Sequence, residues 1–285
     1  LMIRRPPRST QGVSAAASDV YKRQHKAASA LSETDRWVGV DADNIVDPDF
    51  FNVEIDTDKI ENDWVISWSG KNDVNGLVYG NGGLKCWPKH VVENMRTHEA
   101  SNILGSPKSH IEFCWDVHYV QMNNIYSYVH NNATPYQAFR AGFREGVKMS
   151  LDEGFKLKNK PLTLLHEKNL KRLLVWMTVG ADALNGLWAI YGARLGCWMT
   201  NATDWEYTLV RDFKWHTEFW EMEIWPKFGH DEDKFLNEVY DLGDKIRDEL
   251  ELPIAEMEAQ NSRFFKEVYV SPTRTAPLIR EDQIG

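Results

Sequence analysis

The apolar stretch Trp37-Val38-Gly39-Val40 runs straight into Asp41-Ala42-Asp43-Asn44, and this junction narrows the fold more than any other feature of the chain. A short apolar run bounded by turn formers reads as a buried strand. Side chains of an extended segment alternate faces, so Asp41 and Asp43 are expected to point the same way at the strand end. Two carboxylates one residue apart can grip one divalent cation and so hold a metal-bound diphosphate. Asn44 to Phe51 (NIVDPDFF) follows, a turn-rich exit expected where a strand of an α/β sheet reaches its ligand-binding edge. Taken alone, the motif fits equally a strand that runs into an Asx turn.

Residues 1–24 are set aside from fold reasoning. They have a basic, Pro-containing start, no apolar core of signal-peptide type and no periodicity. Both IRRPPRST and SDVYKRQ within them resemble translated read-through of sequencing-library adapters. The natural chain is therefore expected to continue upstream of His25. A disordered basic arm is the alternative. The chain carries a net charge of −9. Because residues 1–24 hold Arg4, Arg5, Arg8, Lys22 and Arg23 against Asp19 alone, the body from His25 is more acidic still. That balance argues against binding to duplex nucleic acid, which needs a basic footprint. Cys86, Cys114 and Cys197 are far apart and lack metal spacing, so a reduced, cytoplasmic protein is expected. The longest apolar region, Leu173 to Met199, is interrupted by Asp182, Asn185 and Arg194 and is no membrane span.

The pattern along the chain predicts an α/β half followed by a helical half. Expected elements are a short helix from His25, strands at 37–41, 63–68 and 125–130, a glycine loop at 80–85, and a helix with Pro88 in its first turn. Thr134-Pro135 opens a further helix whose Phe139, Phe143 and Val147 form a core stripe. From about 163 onward the signal is helical, including 176–199 and 231–266. The division expected is 1–24, a catalytic part at 25–150, a helical part at 151–270 and an extended tail at 271–285. Nothing repeats at a fixed period.

Four further features could carry chemistry. Tyr79-Gly80-Asn81-Gly82-Gly83-Leu84-Lys85 is either a hairpin loop or a floor for a ligand, with Gly82, Gly83 and Lys85 close to it and Trp87 as a platform. His130, at a strand end, could donate a nitrogen to a metal or be structural. Arg140, Arg144 and Lys148 share one helix face, as an anion site or as a solvated face balanced by Glu145 and Asp152. Glu112 or Asp116 could deprotonate a hydroxyl, or be structural. In the helical half, small residues along 179–194 suit close helix packing. Trp198, Trp205, Trp215, Trp220 and Trp225, among charged residues, could form a carbohydrate surface or a partner interface.

VDADN (40–44) with DPDFF (47–51), YGNGGLKCWPK (79–89) and YVHNNATPYQAFRAGFREGVK (128–148), in that order, resemble nucleotide-sugar-dependent glycosyltransferases of GT-A fold, especially the tailed-phage and marine metagenomic forms. The resemblance covers roughly residues 25–150 and implies an α/β, GT-A-like (Rossmann-related) partial sheet with a helical C-terminal region. It implies that Asp41 and Asp43 bind Mn²⁺ or Mg²⁺, with His130 as a further metal contact. Gly82, Gly83, Lys85 and Trp87 would meet donor or acceptor, Arg140 and Arg144 would add positive charge near the diphosphate, and Asp116 would be the catalytic base. The partners implied are a nucleotide-sugar donor and a glycan or other hydroxyl acceptor, in the host cytoplasm if the chain is viral. Two departures stand out: the βα units that hold the nucleotide base, which should precede the Asp-x-Asp, are absent from this sequence, and no acidic motif after the glycine loop matches the usual base clearly. A viral structural or assembly protein, and a nucleotidyltransferase using Asp41 and Asp43 with two metals, are the alternatives.

Overall fold

The structure, a computed structural model, describes residues 20–55, 60–96, 117–157 and 160–271. Helix α1 (Val20–Leu31) leads into strand β1 (Arg36–Val40), which ends at the Asp-x-Asp. Then come β2 (Asn44–Val46), a 3-10 turn at Pro48–Asn52, β3 (Val65–Asn72), β4 (Val78–Pro88), α2 (Lys89–Asn94) and β5 (Tyr119–Val129). The remainder is helical: α3 (Pro135–Met149), α4 (Glu167–Trp176), α5 (Gly186–Ala202), α6 (Phe213–Phe219), α7 (Trp225–Phe228), α8 (Glu232–Leu250) and α9 (Ala259–Val268). A π-helical turn, Trp220–Ile224, joins α6 to α7. A mixed α/β part followed by a helical region is thus what folds. Helix α1 starts within the stretch set aside, earlier than the His25 expected.

The strands form one mixed sheet in the order β1-β4-β3-β5-β2, with β3 and β5 parallel and the other pairs antiparallel. β1 and β2 occupy opposite edges, yet only Asp41, Ala42 and Asp43 separate them. The link from Val40 to Asn44 reaches about 14 Å when extended, whereas five strands laid flat hold their outer members about 19 Å apart. The sheet must therefore curl, and the carboxylate turn sits where its edges converge. β4 supplies part of the curl. Trp68 pairs with Leu84 but Gly70 with Tyr79, so residues 80–83 of β4 bulge opposite Ser69 alone. The stretch expected as a glycine loop is consequently a strand with a bulge. β3 also continues through Ser69-Gly70 to Asn72 because the bulge absorbs those residues.

Helix α3 packs chiefly on α5 and faces the sheet at Tyr79, whose hydroxyl donates to Glu145. Thr134 caps it, its hydroxyl accepting from the Gln137 N–H at 3.2 Å, with Pro135 in the first turn. Phe139, Phe143 and Val147 are buried as the periodicity requires. Glycines decide how α3 meets α5. A Cβ at Gly142 or Gly146 would strike the carbonyls of Ala189 and Ala193, and one at Gly192 or Gly196 those of Phe139 and Phe143. Each helix thus presents a Gly-x-x-x-Gly step to the other's backbone. The stretch expected as one helix over 176–199 is broken between α4 and α5, where Gly180 has φ +141°. Asp231 caps α8.

The main core runs from Val74, Leu77 and Tyr79 through α3, α4 and α5 to Ile254, so sheet and helices share it. A second cluster gathers Phe50, Ile66, Trp68, Leu84, Val120 and Met122, and a third Val65, Trp87, Val92 and Met95. The tryptophans of the helical half pack ring on ring, Trp215 stacking on Phe219 at 4.8 Å and Trp188 on Phe235 at 3.8 Å. Of the five tryptophans expected to form a carbohydrate surface or a partner interface, Trp220 is buried, whereas Trp198, Trp205, Trp215 and Trp225 pack against the core and remain partly exposed. No helix among the described residues is long and apolar enough to cross a membrane.

Candidate functional site

A cleft of about 560 Å³ opens between the curled sheet and α3. Asp41, Ala42 and Asp43 form a turn at one end, closed by the Asn44 N–H donating to the Asp41 carbonyl at 3.0 Å. Two strands anchor it. The Asp41 N–H donates to the Gly83 carbonyl at 2.8 Å, and the His130 N–H to the Asp43 carbonyl at 2.7 Å. The strand ends at Val40, so the two carboxylates are brought together by this turn rather than by strand alternation. Asn44 Nδ2 donates to Asp43 Oδ1 at 2.9 Å. A Cβ at Gly83 would fall inside the Asn44 carboxamide, so this glycine admits a neighbouring side chain of the protein itself.

Asp41 is open to solvent on one side and crowded on the others. That burial holds its carboxyl above the ordinary carboxylate range, opposed by Lys85, reinforced by Asp43, and opposed again by His25 and Arg144. Across the cleft, α3 presents Gln137, Arg140, Arg144, Glu145 and Lys148. The Arg140 guanidinium lies 3.8 Å above the Phe213 ring. Glu145 Oε2 accepts from the Tyr79 hydroxyl at 2.7 Å, and its Oε1 lies 3.8 Å from Lys148 Nζ. The Tyr79 hydroxyl in turn accepts from Trp176 Nε1 at 3.1 Å. Burial first, and Glu145 second, push the Tyr79 phenol well up, so it remains a donor. Behind this wall His216 is buried with Nε2 2.8 Å from the Val210 carbonyl. Burial lowers its pKa to about 4, Arg140 and Arg144 adding to the effect.

The cleft brings together Asp41, Asp43, Gly83, Lys85, Trp87, Arg140 and Arg144 of the residues singled out from the sequence. Gly82 precedes Gly83 in β4. Trp87 is no platform: it is 1 % exposed, edge-on to His25 and Tyr119, and offers the cleft only a rim. Lys85 extends over the rings of Trp87 and Tyr119 at 5.7 and 5.5 Å. His130 does not turn to the carboxylates. Its Nδ1 is 3.4 Å from Asp73 Oδ2, and only its backbone supports Asp43. Asp116, with Glu112, lies outside the described residues.

Cleft residues that sequence reasoning gave no role are Asn72, Asn131, Arg211 and Phe213, while Asn44 and Tyr79 were named only as parts of their motifs. Asn72 carried a local signal, an Asx-type turn before Val74, whose N–H donates to Asn72 Oδ1 at 3.0 Å. Arg211 and Phe213 carried none, since they reach the site from a remote part of the chain. Among the described cleft residues five cations, Lys85, Arg140, Arg144, Lys148 and Arg211, face three carboxylates, Asp41, Asp43 and Glu145. An acidic chain thus builds a cationic cleft with a carboxylate pair at one end.

No protein-family model, curated protein or solved structure matches this chain.

Proposed function

We propose that the chain transfers a glycosyl group from a nucleoside-diphosphate sugar to a hydroxyl acceptor, with a GT-A-like arrangement of the sheet around the donor diphosphate. The supporting observation is that a carboxylate pair and a row of helix cations meet in one cleft. The donor set suits Mn²⁺ or Mg²⁺: Asp41 and Asp43 offer hard oxygens, and the buried Asn44 Oδ1 beside them has no partner. Among the described residues no group of three or more His, Cys, Asp and Glu gathers. Two carboxylates, with phosphates completing the shell, are the usual protein share for Mg²⁺. When bound, the cation supplies Lewis-acid stabilisation of the departing diphosphate.

The chain's own residues do the rest. Arg140, Arg144 and Lys148 meet phosphate oxygens and stabilise negative charge as it develops on them, an effect strengthened by partial exclusion of water. The raised pKa of Asp41 fits a carboxylate kept uncomfortable until a cation arrives. We place the protein in the cytoplasm, that of the host where the chain is viral, a reading that rests on its few, widely spaced cysteines.

Titration calorimetry of the full chain with UDP and GDP, with and without Mn²⁺, tests the proposal against the Asp41→Ala/Asp43→Ala double variant. Metal-dependent binding lost in the variant is expected. Absence of binding by the folded protein, or binding indifferent to metal, would overturn it and favour an assembly role. Preference for a nucleoside triphosphate over the diphosphate sugar would favour nucleotidyl transfer.

A further inference from the structure

The cleft has a second chemical character, away from its charges. Asn44 pairs with Val129 and Val129 with Asn72, so the three lie in one row across β2, β5 and β3 and share a sheet face. Tyr79, opposite Gly70, lies on that same face, and Asn131 follows just beyond β5. Val129, Asn72, Asn131 and Tyr79 all line the cleft. Asn72 is 1 % exposed, its Oδ1 is engaged by the Val74 N–H, and its Nδ2 has no partner. Asn131 Oδ1 is buried without a partner as well. An unsatisfied buried amide is costly, and Asn72 Nδ2 and Asn131 Oδ1 are two such atoms on residues that line the one cleft. Glu145 faces this floor, its carboxylate fixed by Tyr79.

Neutral amides beside a fixed carboxylate are poor partners for phosphate and good ones for hydroxyl groups. An amide N–H donates to a hydroxyl oxygen, whereas carboxamide and carboxylate oxygens accept from hydroxyl hydrogens. We infer that Asn72, Asn131 and Glu145 form a saccharide subsite that takes the hydroxyl-bearing, uncharged part of the ligand while Arg140, Arg144 and Lys148 take its phosphates. The inference rests on the function proposed above for the charged end of the cleft.

Two measurements on the full chain test it. The side-chain NH₂ resonances of Asn72 and Asn131 are followed by NMR as methyl glucoside, galactoside or mannoside is added. Calorimetry with Mg²⁺ compares UDP with UDP-glucose and GDP with GDP-mannose. The variants are Glu145→Gln, which keeps an acceptor for Tyr79, and Asn72→Ser, whose hydroxyl can still accept from the Val74 N–H.

At least one hexoside is expected to shift both NH₂ pairs, and Glu145→Gln to abolish the response. The variants are expected to lower the advantage of the sugar nucleotide over the bare diphosphate by roughly tenfold, about 1.4 kcal/mol, and Asn72→Ser to leave diphosphate affinity within about twofold. No shift with any hexoside, together with equal binding of diphosphate and sugar nucleotide by the unaltered chain, would overturn the subsite while leaving the diphosphate reading intact. Hexoside shifts without any nucleotide binding would uphold the subsite and sink the diphosphate reading. A spectrum that collapses in Asn72→Ser leaves Glu145→Gln to decide.

Discussion

At the scale of single residues, the site depends on atoms that must be absent or uncomfortable. Gly83→Ala places a methyl where the Asn44 carboxamide lies, so the carboxylate turn has to shift. Overpacking of this kind typically costs about 1–3 kcal/mol. The expected outcome is a lower melting temperature together with lost metal-dependent nucleotide binding, and a variant that binds normally would show the turn to be compliant. Asp41 supplies a pH signature. Its folded pKa lies above the unfolded value, so the native state holds the proton more tightly. Stability therefore falls as pH rises from the ordinary carboxylate value through the folded one. Asp41→Asn is expected to raise the melting temperature at neutral pH, with the gain vanishing once the pH drops below the unfolded value. His216 works in the opposite sense. Its pKa is lowered to about 4, so stability is full above its ordinary value of 6.5 and is lost as pH falls from there toward about 4. An NMR titration of the imidazole should give a midpoint near 4, and one near 6.5 would contradict its burial.

At the scale of elements, α3 both packs the core and presents the cations, and the two roles are coupled by its glycines. Phe139, Phe143 and Val147 face inward, while Gly142 and Gly146 let α5 approach along a neighbouring strip. Arg140 and Arg144 occupy the remaining face. Gly146→Ala or Gly192→Ala forces the helices apart at a backbone carbonyl that cannot rotate away. Such a variant should lose at least the roughly 1–3 kcal/mol typical of overpacking in denaturant unfolding. It should also weaken diphosphate binding although no ligand contact has been removed. Loss of stability with unchanged binding would show that α3 holds its cations independently of α5.

At the scale of the whole molecule, sheet and helical region build one cleft and one main core. Trp176, Arg211 and Phe213 come from the helical region, yet they line the cleft beside Asp41 and Gly83. Tyr79 of β4, with Val74 and Leu77 of the turn between β3 and β4, packs into the core that extends to Ile254. A chain ending near residue 150 would expose α3's buried stripe and lose that wall. The intact chain is expected to melt in a single transition by circular dichroism and by tryptophan fluorescence alike, whereas two separated transitions would mean independently stable halves.

Much of the local design was legible in the chain: a strand before Asp41, although it is an edge strand with Val38 and Val40 exposed rather than the buried strand expected, the Thr134-Pro135 start of α3, its Phe139-Phe143-Val147 stripe, and the cationic face at 140, 144 and 148. Those features follow from periodicity, capping and side-chain chemistry, which act over a few residues and leave their mark in consecutive letters. What only the tertiary structure decided is where remote segments meet. The curl that brings β1 and β2 together, the bulge that lays Asn44 on Gly83, the turning of His130 toward Asp73, the burial of Trp87, and the arrival of Arg211 and Phe213 all arise from long-range packing. No local pattern encodes these contacts, because each partner's half of the contact is compatible with many neighbours until the shared core selects one.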